Sequence, residues 1–248
     1  MTVLLKVEGL TKSFGGVRAV GNVSFEVTAG ELLAMIGPNG AGKSTCFNML
    51  NGQLAPDAGS IEFAGRQIVG LKPRAVWRLG VGRTFQITAT FSSMTVRENV
   101  QVALLSHHGG LGGLWRRARD AHVDAADRLL ERVGMREQGD RPCSVLAYGD
   151  LKRLELAVAL ANRPRLLLMD EPTAGMAPRE RVALMALAAE IVRTDNIGVL
   201  FTEHDMDVVF AHANRVIVLN RGQLIAAGAP DAVRADAEVQ RIYLGSRH

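Results

Sequence analysis

Residues Gly37-Pro38-Asn39-Gly40-Ala41-Gly42-Lys43-Ser44 constrain the fold more than any other stretch of the chain. The glycines let the backbone curl through conformations that side chains disfavour, so successive N–H groups can face one anion. The segment fits the phosphate-binding loop pattern G-x-x-x-x-G-K-[ST], which needs a strand before it and a helix after it. Both are legible. Leu32-Leu33-Ala34-Met35-Ile36 is an apolar run that reads as a buried strand, and a helical stretch runs from Thr45 to Leu50. That helix would turn its N-terminal dipole toward the anion. Lys43 supplies a mobile positive charge for β- and γ-phosphates, and the Ser44 hydroxyl can ligate Mg²⁺. The loop implies a nucleoside triphosphate without saying what is done to it.

The rest of the chain narrows the class. Its 248 residues suffice for a substantial core, and 48% apolar with 22% charged residues is ordinary for a globular protein. No apolar run reaches the roughly 18 residues of a membrane span. The longest candidate, Val182 to Val192, contains Glu190. Met1 to Gly9 carries Lys6 and Glu8 and does not read as a secretory leader, so a cytoplasmic chain is expected. The net charge of +4 is spread along the sequence and aromatics are only 5%, so nucleic acid is not an expected partner. A basic surface would suit docking beside an anionic membrane. Cys46 and Cys143 are far apart without metal-ligand spacing, and no disulfide is expected. His107-His108 precede a glycine-rich stretch and read as a surface loop.

Periodicity gives the architecture. Leu4 to Val7 and Val20 to Val27 read as short strands around a turn at Gly15-Gly16. A second strand–helix stretch is expected from Ile61-Glu62-Phe63. From Met94 to Asn162 the pattern is mostly helical, with Val123, Ala126, Leu129, Leu130 and Val133 on one face and Leu151, Leu154, Val158 and Ala161 on another. Strands then alternate with helices: Leu166 to Met169, a helix over Arg179 to Arg193, Gly198 to Phe201, a helix from Asp205, and Val216 to Leu219. The expectation is an α/β fold, a phosphate-loop NTPase core with a mostly parallel sheet, an N-terminal antiparallel β layer and an inserted helical subdomain. We expect one domain over 1–248, its core about 1–88 and 163–248 and its helical subdomain about 89–162.

The strand Leu166 to Met169 ends in Asp170-Glu171. An apolar strand can present a carboxylate at its tip to Mg²⁺, and Asp170 is the expected metal partner, through water. Glu171 stands one residue further, where it could accept a proton from an attacking water. Away from a phosphate loop such a pair would be a solvated acidic turn.

Taken in order, Gly37 to Thr45, Gln86, Leu146-Ala147-Tyr148-Gly149-Asp150, Asp170-Glu171-Pro172-Thr173 and His204 resemble an ATP-binding cassette subunit over nearly the full length. The resemblance implies roles residue by residue. Phe14 would stack on adenine. Gln86 would touch Mg²⁺ and the water while linking core to helical insertion. His204 would read the γ-phosphate. Leu146 to Asp150 stands where the family has its L-S-G-G-Q signature, a turn that opens a helix capping the ATP held by a second subunit, so that two chains sandwich two ATP molecules. This chain departs from the pattern. Ala147 removes a hydroxyl donor, Tyr148 replaces a glycine, and Asp150 puts a negative charge near an anion, unfavourable by a few tenths to ~1 kcal/mol if solvated. Ala177 stands where Asp or Asn is usual. A cap weakened in this way would make two ATP sites unequal in a heterodimer.

Ser13-Phe14-Gly15-Gly16, Gly82 to Gln86, Leu146 to Gly149, the region Ser106 to Arg119 and the ending Tyr243-Leu244-Gly245 look like the importer cassettes for branched-chain amino acids. That implies a second cassette chain, two transmembrane permease subunits, a periplasmic solute-binding protein, and a place on the inner face of the cell membrane. An exporter or lipopolysaccharide-type system shares every nucleotide motif and stays open as an alternative. DNA-repair or translation cassettes, and phosphate-loop kinases, lack features seen here or carry features absent here.

Overall fold

The computed structural model describes residues 2–84, 90–108 and 121–244. Two sheets organise them. Strands β1 (Val3–Phe14), β2 (Val17–Thr28), β4 (Ala58–Phe63) and β5 (Arg66–Gln67) form a four-stranded antiparallel sheet in the order β2-β1-β4-β5. Strands β3 (Leu32–Ile36), β6 (Val81–Thr84), β7 (Leu166–Asp170), β8 (Gly198–Thr202), β9 (Arg215–Asn220) and β10 (Gln223–Gly228) form a six-stranded sheet in the order β10-β9-β3-β8-β7-β6. All its pairings are parallel except β10 with β9.

The parallel sheet is the middle layer, and strand alternation shows it. In β3, Leu32, Ala34 and Ile36 join one core cluster, while Leu33 and Met35 join the other. β7 divides in the same way, with Leu167 and Met169 opposite Leu166 and Leu168, and so does β9, with Val216 and Val218 opposite Ile217 and Leu219. A strand buried on both faces has no polar face to show, hence its continuous apolar run. Between the two sheets lies helix α1 (Lys43–Leu50), which contributes Cys46, Phe47, Met49 and Leu50 to the shared core. The core cluster on the other face of the parallel sheet is shared by α5 (Tyr148–Leu160), α6 (Pro178–Asp195) and α7 (Met206–His212), and by α3 (Val96–His108) and α4 (Val123–Arg132), which pack on each other and on α5. The short α2 (Pro73–Arg78) precedes β6, and α8 (Pro230–Ala235) and α9 (Ala237–Leu244) follow β10.

The structure extends several expectations. Ile61-Glu62-Phe63 lies in β4, which β5 and the short α2 follow, and the strand belongs to the antiparallel sheet. It pairs antiparallel with β1, Leu5 opposite Phe63 and Val7 opposite Ile61. The reason lies in its pattern: Ile61 and Phe63 are buried and Glu62 is exposed, the one-sided burial of an antiparallel strand. β1 and β2 run well beyond the apolar stretches that announce them, because register shifts after Val7 and Leu10 let β1 continue through polar residues. The helical segment is braced by Arg97 of α3, which pairs with Asp127 of α4 at 2.6 Å and also with Asp140. Arg132 at the end of α4 meets Asp195 at the end of α6 at 2.7 Å.

Both cysteines are free and buried, and burial pushes the Cys46 thiol up to about 12. The native protein is therefore expected to show almost no thiol reactive toward an aromatic disulfide at pH ~8, where an exposed Cys is partly ionised. Denaturant should release both. Rapid native labelling of Cys46 would contradict the packing of α1 between the sheets.

Candidate nucleotide site

The site is built at the carboxyl ends of β3, β7 and β8, which lie side by side in the sheet. Open α/β sheets place ligands there. After β3 the chain turns through the glycine loop and enters α1 at Lys43. Gly42 caps that helix in a left-handed conformation, φ 105°, and a Cβ there would stand 2.5 Å from the Ala19 carbonyl oxygen. At Gly37 a Cβ would stand 2.2 Å from the Leu219 carbonyl oxygen. The loop is thus pressed against β2 and the end of β9, and at both positions only glycine fits. Lys43 is 7% exposed. Its ammonium donates to the carbonyl oxygens of Gly37 at 2.6 Å and Pro38 at 3.2 Å, folding back along the loop it follows. Burial lowers its proton affinity, while Glu171 and Asp170 pull the other way. Those two carboxylates are therefore within electrostatic reach of the loop. Ser44 is exposed in the first turn of α1.

Asp170 and Glu171 occupy different settings. Asp170 is 9% exposed and both its oxygens are engaged: Oδ1 accepts from the Thr202 hydroxyl at 2.8 Å, Oδ2 from Arg83 at 3.2 Å. Arg83, on β6, also donates to Asn48 and Gln53, joining the end of α1 to β7. Its burial lowers its own proton affinity, partly offset by Asp170. Glu171 leaves the strand with φ 47°, a left-handed backbone uncommon for a side chain of this size. Its N–H donates to the same Thr202 hydroxyl, at 3.0 Å. Its Oε1 lies 2.8 Å from Nε2 of His204, bringing together residues from neighbouring strand tips. His204 is 47% exposed on its side chain and Glu171 21%, so the pair faces outward from the sheet. Beneath it, Glu203 accepts from the Thr173 N–H at 2.9 Å and the Thr173 hydroxyl at 2.6 Å, and from the His204 N–H at 3.2 Å.

The sequence-derived residues thus divide. Gly37 through Thr45, Asp170, Glu171 and His204 converge on one edge of the sheet. Phe14 stands 50% exposed at the tip of the β1–β2 hairpin, with the Lys12 ammonium 5.8 Å from its ring centre. Leu146 and Ala147 lead into α5, Ala147 as the residue before its first turn, followed by Tyr148, Gly149 and Asp150. That stretch packs on the segment after β7 and on α6: Gly149 on Glu180, Tyr148 on Gly175. Gln86 lies outside the described residues, as do Phe85, Gly245 and most of Ser106 to Arg119. The sequence assigns no role to three residues that position the site: Arg83, which it marks only as part of Gly82 to Gln86, Thr202 and Glu203. The available signal was a charged or polar residue at the end of an otherwise apolar strand.

A pattern of the ABC transporter family matches residues 20–174, more than half of the chain. The chain belongs to the ABC transporter family. It is the nucleotide-binding, ATP-hydrolysing part of such a system. A second pattern, of the branched-chain amino acid ATP-binding cassette transporter, matches residues 223–248. Similar curated proteins include the high-affinity branched-chain amino acid transport ATP-binding proteins LivG of Salmonella typhimurium, 43% identical, and BraF of Pseudomonas aeruginosa, 41% identical, each with 98% of both chains covered. Among solved structures, a nucleotide-free cassette of an ABC transporter is 30% identical with a TM-score of 0.86, covering 98% of this chain and 99% of that one. A cassette in its ADP conformation is 30% identical with a TM-score of 0.87, covering 99% and 100%.

For an ABC cassette, Mg²⁺ needs few protein ligands, because substrate phosphates and water supply the rest. The donor set fits that pattern. Among the described residues no group of three or more His, Cys, Asp and Glu forms a cage, while Ser44 opens the helix that follows β3 and Asp170 ends β7, with β8 between the two strands. Since both Asp170 oxygens already accept hydrogen bonds, a water-mediated contact suits it.

Thr202 is the keystone of the acidic pair, so Thr202→Val should strand the Asp170 oxygen and the Glu171 N–H together. A loss of about 1–3 kcal/mol in stability is expected, read from the urea midpoint. ATP turnover should fall as Glu171 loses its anchor. Unchanged stability and turnover would show that the hydroxyl is dispensable.

Proposed function

We propose that this ABC cassette energises the uptake of branched-chain amino acids, or a closely related small solute, by binding and hydrolysing ATP beneath a pair of membrane permease chains. The observation that carries the catalytic part is the Glu171–His204 contact at 2.8 Å beside a buried phosphate-loop lysine. The solute class is supported by the relatives, whose names specify branched-chain amino acid transport. None of those names favours export. Among the described residues no helix is long and apolar enough to cross a membrane, which suits a subunit docked on permease chains at the inner face of the cell membrane. Delivery of the solute by a periplasmic binding protein belongs to the same reading.

In this reading the loop N–H groups and Lys43 hold the β- and γ-phosphates. Ser44, Gln86 and, through water, Asp170 would hold Mg²⁺, which would supply charge neutralisation on the phosphate oxygens. Glu171 takes the proton of the water that attacks the terminal phosphorus, and the bond to the ADP oxygen breaks. His204 orients Glu171 and meets the departing phosphate. Phe14 stacks on adenine. A second cassette chain, a different one in our reading, completes each site with the residues equivalent to Leu146–Asp150. ATP then closes the pair, and closure moves the helical insertion against the permease. Ala147, Asp150 and Ala177 weaken what this chain offers its partner, while its own Lys43, Glu171 and His204 are intact, so the two sites should turn over at different rates.

The test uses the cassette pair assembled with its permease in liposomes. Glu171→Gln should retain ATP binding and lower turnover by about 10²–10⁴-fold, the usual contribution of a general base. Lys43→Ala should abolish productive ATP use. Leucine-loaded binding protein should stimulate hydrolysis and drive uptake. Full turnover in Glu171→Gln would remove the base assignment, and leucine-independent export would replace the importer reading.

A further inference from the structure

Tyr148 is a departure from the family's signature that the nucleotide chemistry does not use. The structure shows what it touches. Gly175 has φ 79°, and the three atoms nearest to a Cβ placed on it are all from the Tyr148 side chain, two ring carbons at 3.3 and 3.7 Å and the phenol oxygen at 3.8 Å. Ring and glycine therefore fit each other: a side chain at Gly175 would need a strained backbone and would push the ring away. One residue on, a Cβ at Gly149 would stand 2.9 Å from the Glu180 carboxylate, and Glu180 in turn accepts from the Ala177 N–H at 3.2 Å. The first turn of α5 is thus seated on the connection between β7 and α6 at Gly175 and on the first turn of α6 at Glu180.

That connection is short and internally bonded. It starts at Glu171, whose carbonyl accepts from the Ala174 N–H at 3.1 Å, and the Thr173 carbonyl accepts from the Met176 N–H at 3.1 Å. Thr173 is pinned by Glu203 and Met176 is buried. These bonds tie Gly175 to Glu171, which sits in a left-handed conformation with its N–H on the Thr202 hydroxyl and its carbonyl on the Ala174 N–H.

We propose that Tyr148 is a positioning residue whose ring, seated on Gly175, ties the start of α5 to the turn that begins at Glu171. The chain's catalytic carboxylate is thereby set by whether its own α5 has engaged the partner's nucleotide. This rests on the reading that Glu171 is the base and that residues 146–150 cap a second site. The link runs within one chain, and makes hydrolysis in the site this chain catalyses contingent on occupancy of the site it caps.

The experiment is a double-mutant cycle in the assembled transporter, with ATPase kcat and KM and separate nucleotide-binding titrations. Tyr148→Gly is expected to lower kcat about tenfold, a larger change than in KM, and Tyr148→Phe to recover most of that loss because it keeps the ring. Gly175→Ala, which disturbs the same contact from the other side, should reproduce the kcat effect. In the Glu171→Gln background Tyr148→Gly should bring no further loss, since residues acting as a unit are not additive. Losses that multiply, or failure of Tyr148→Phe to recover activity, would overturn the proposal. Should Glu171→Gln itself retain full turnover, the underlying base assignment falls instead, so the two failures are distinguishable.

Discussion

Parallel strands buried on both faces leave polar chemistry a single place to stand. β3, β7 and β8 have no exposed residue along their lengths, so side chains that must meet a charged ligand are confined to the strand tips. Because β3 is flanked by β8 and β9, and β8 by β7, the three tips that carry Lys43, Asp170–Glu171 and His204 are adjacent by construction. The register of β7 on β8, Asp170 opposite Thr202, then decides the fine geometry. A slip of one residue would turn Thr202 to the opposite face of the sheet and leave both Asp170 and Glu171 without it.

Charge is arranged around that edge with little water to screen it. Lys43 is buried against its own loop carbonyls and sees two carboxylates; Arg83 is buried against Asp170. Each cation loses hydration and regains part of the loss from its anion, the balance expected of paired charges in a confined site. Arg83 makes Asp170 a poor free acceptor and leaves Glu171, bonded to His204, as the more exposed of the two carboxylates. Adjacent carboxylates thereby stand in different surroundings.

The part of the fold that could be read from residues was the part written locally. Five apolar residues, a glycine loop and a helix are contiguous, so β3 and α1 needed no knowledge of distant chain. The same holds for Asp170–Glu171 at the end of an apolar run. Ile61–Phe63 reads as a strand, but a short alternating strand does not say which sheet it joins; that is settled by Leu5 and Val7, more than fifty residues away in sequence. Arg83, Thr202 and Glu203 were silent for a related reason. Their importance comes from partners 87, 32 and 30 residues distant, namely Asp170 for the first two and Thr173 for the third. Family resemblance supplied His204, which composition and spacing alone could not.

The departures in Leu146–Asp150 look different once their neighbours are known. A helix start meant for an outside anion should not be capped by its own side chain, since the cap would occupy the N–H groups on offer. α7 begins conventionally, with Asp205 accepting from the N–H groups of Asp207 and Val208. α5 begins at Ala147, which has no acceptor, and in this respect it matches α1 with its Gly42. An uncapped start is not sufficient by itself, as α4 after His122 shows. For α5 the absent serine removes a donor toward the anion, and its alanine equally removes a competitor for the helix's own N–H groups. Asp150 acts in two directions as well: in the first turn it favours the helix dipole, and it opposes an approaching phosphate. Asp150 thus supports a helix start that Ala147 leaves uncapped, and in the proposed capping role it would do so at some cost to the pull on ATP. The Tyr148 ring resting on Gly175 supplies that uncapped start with a tertiary contact.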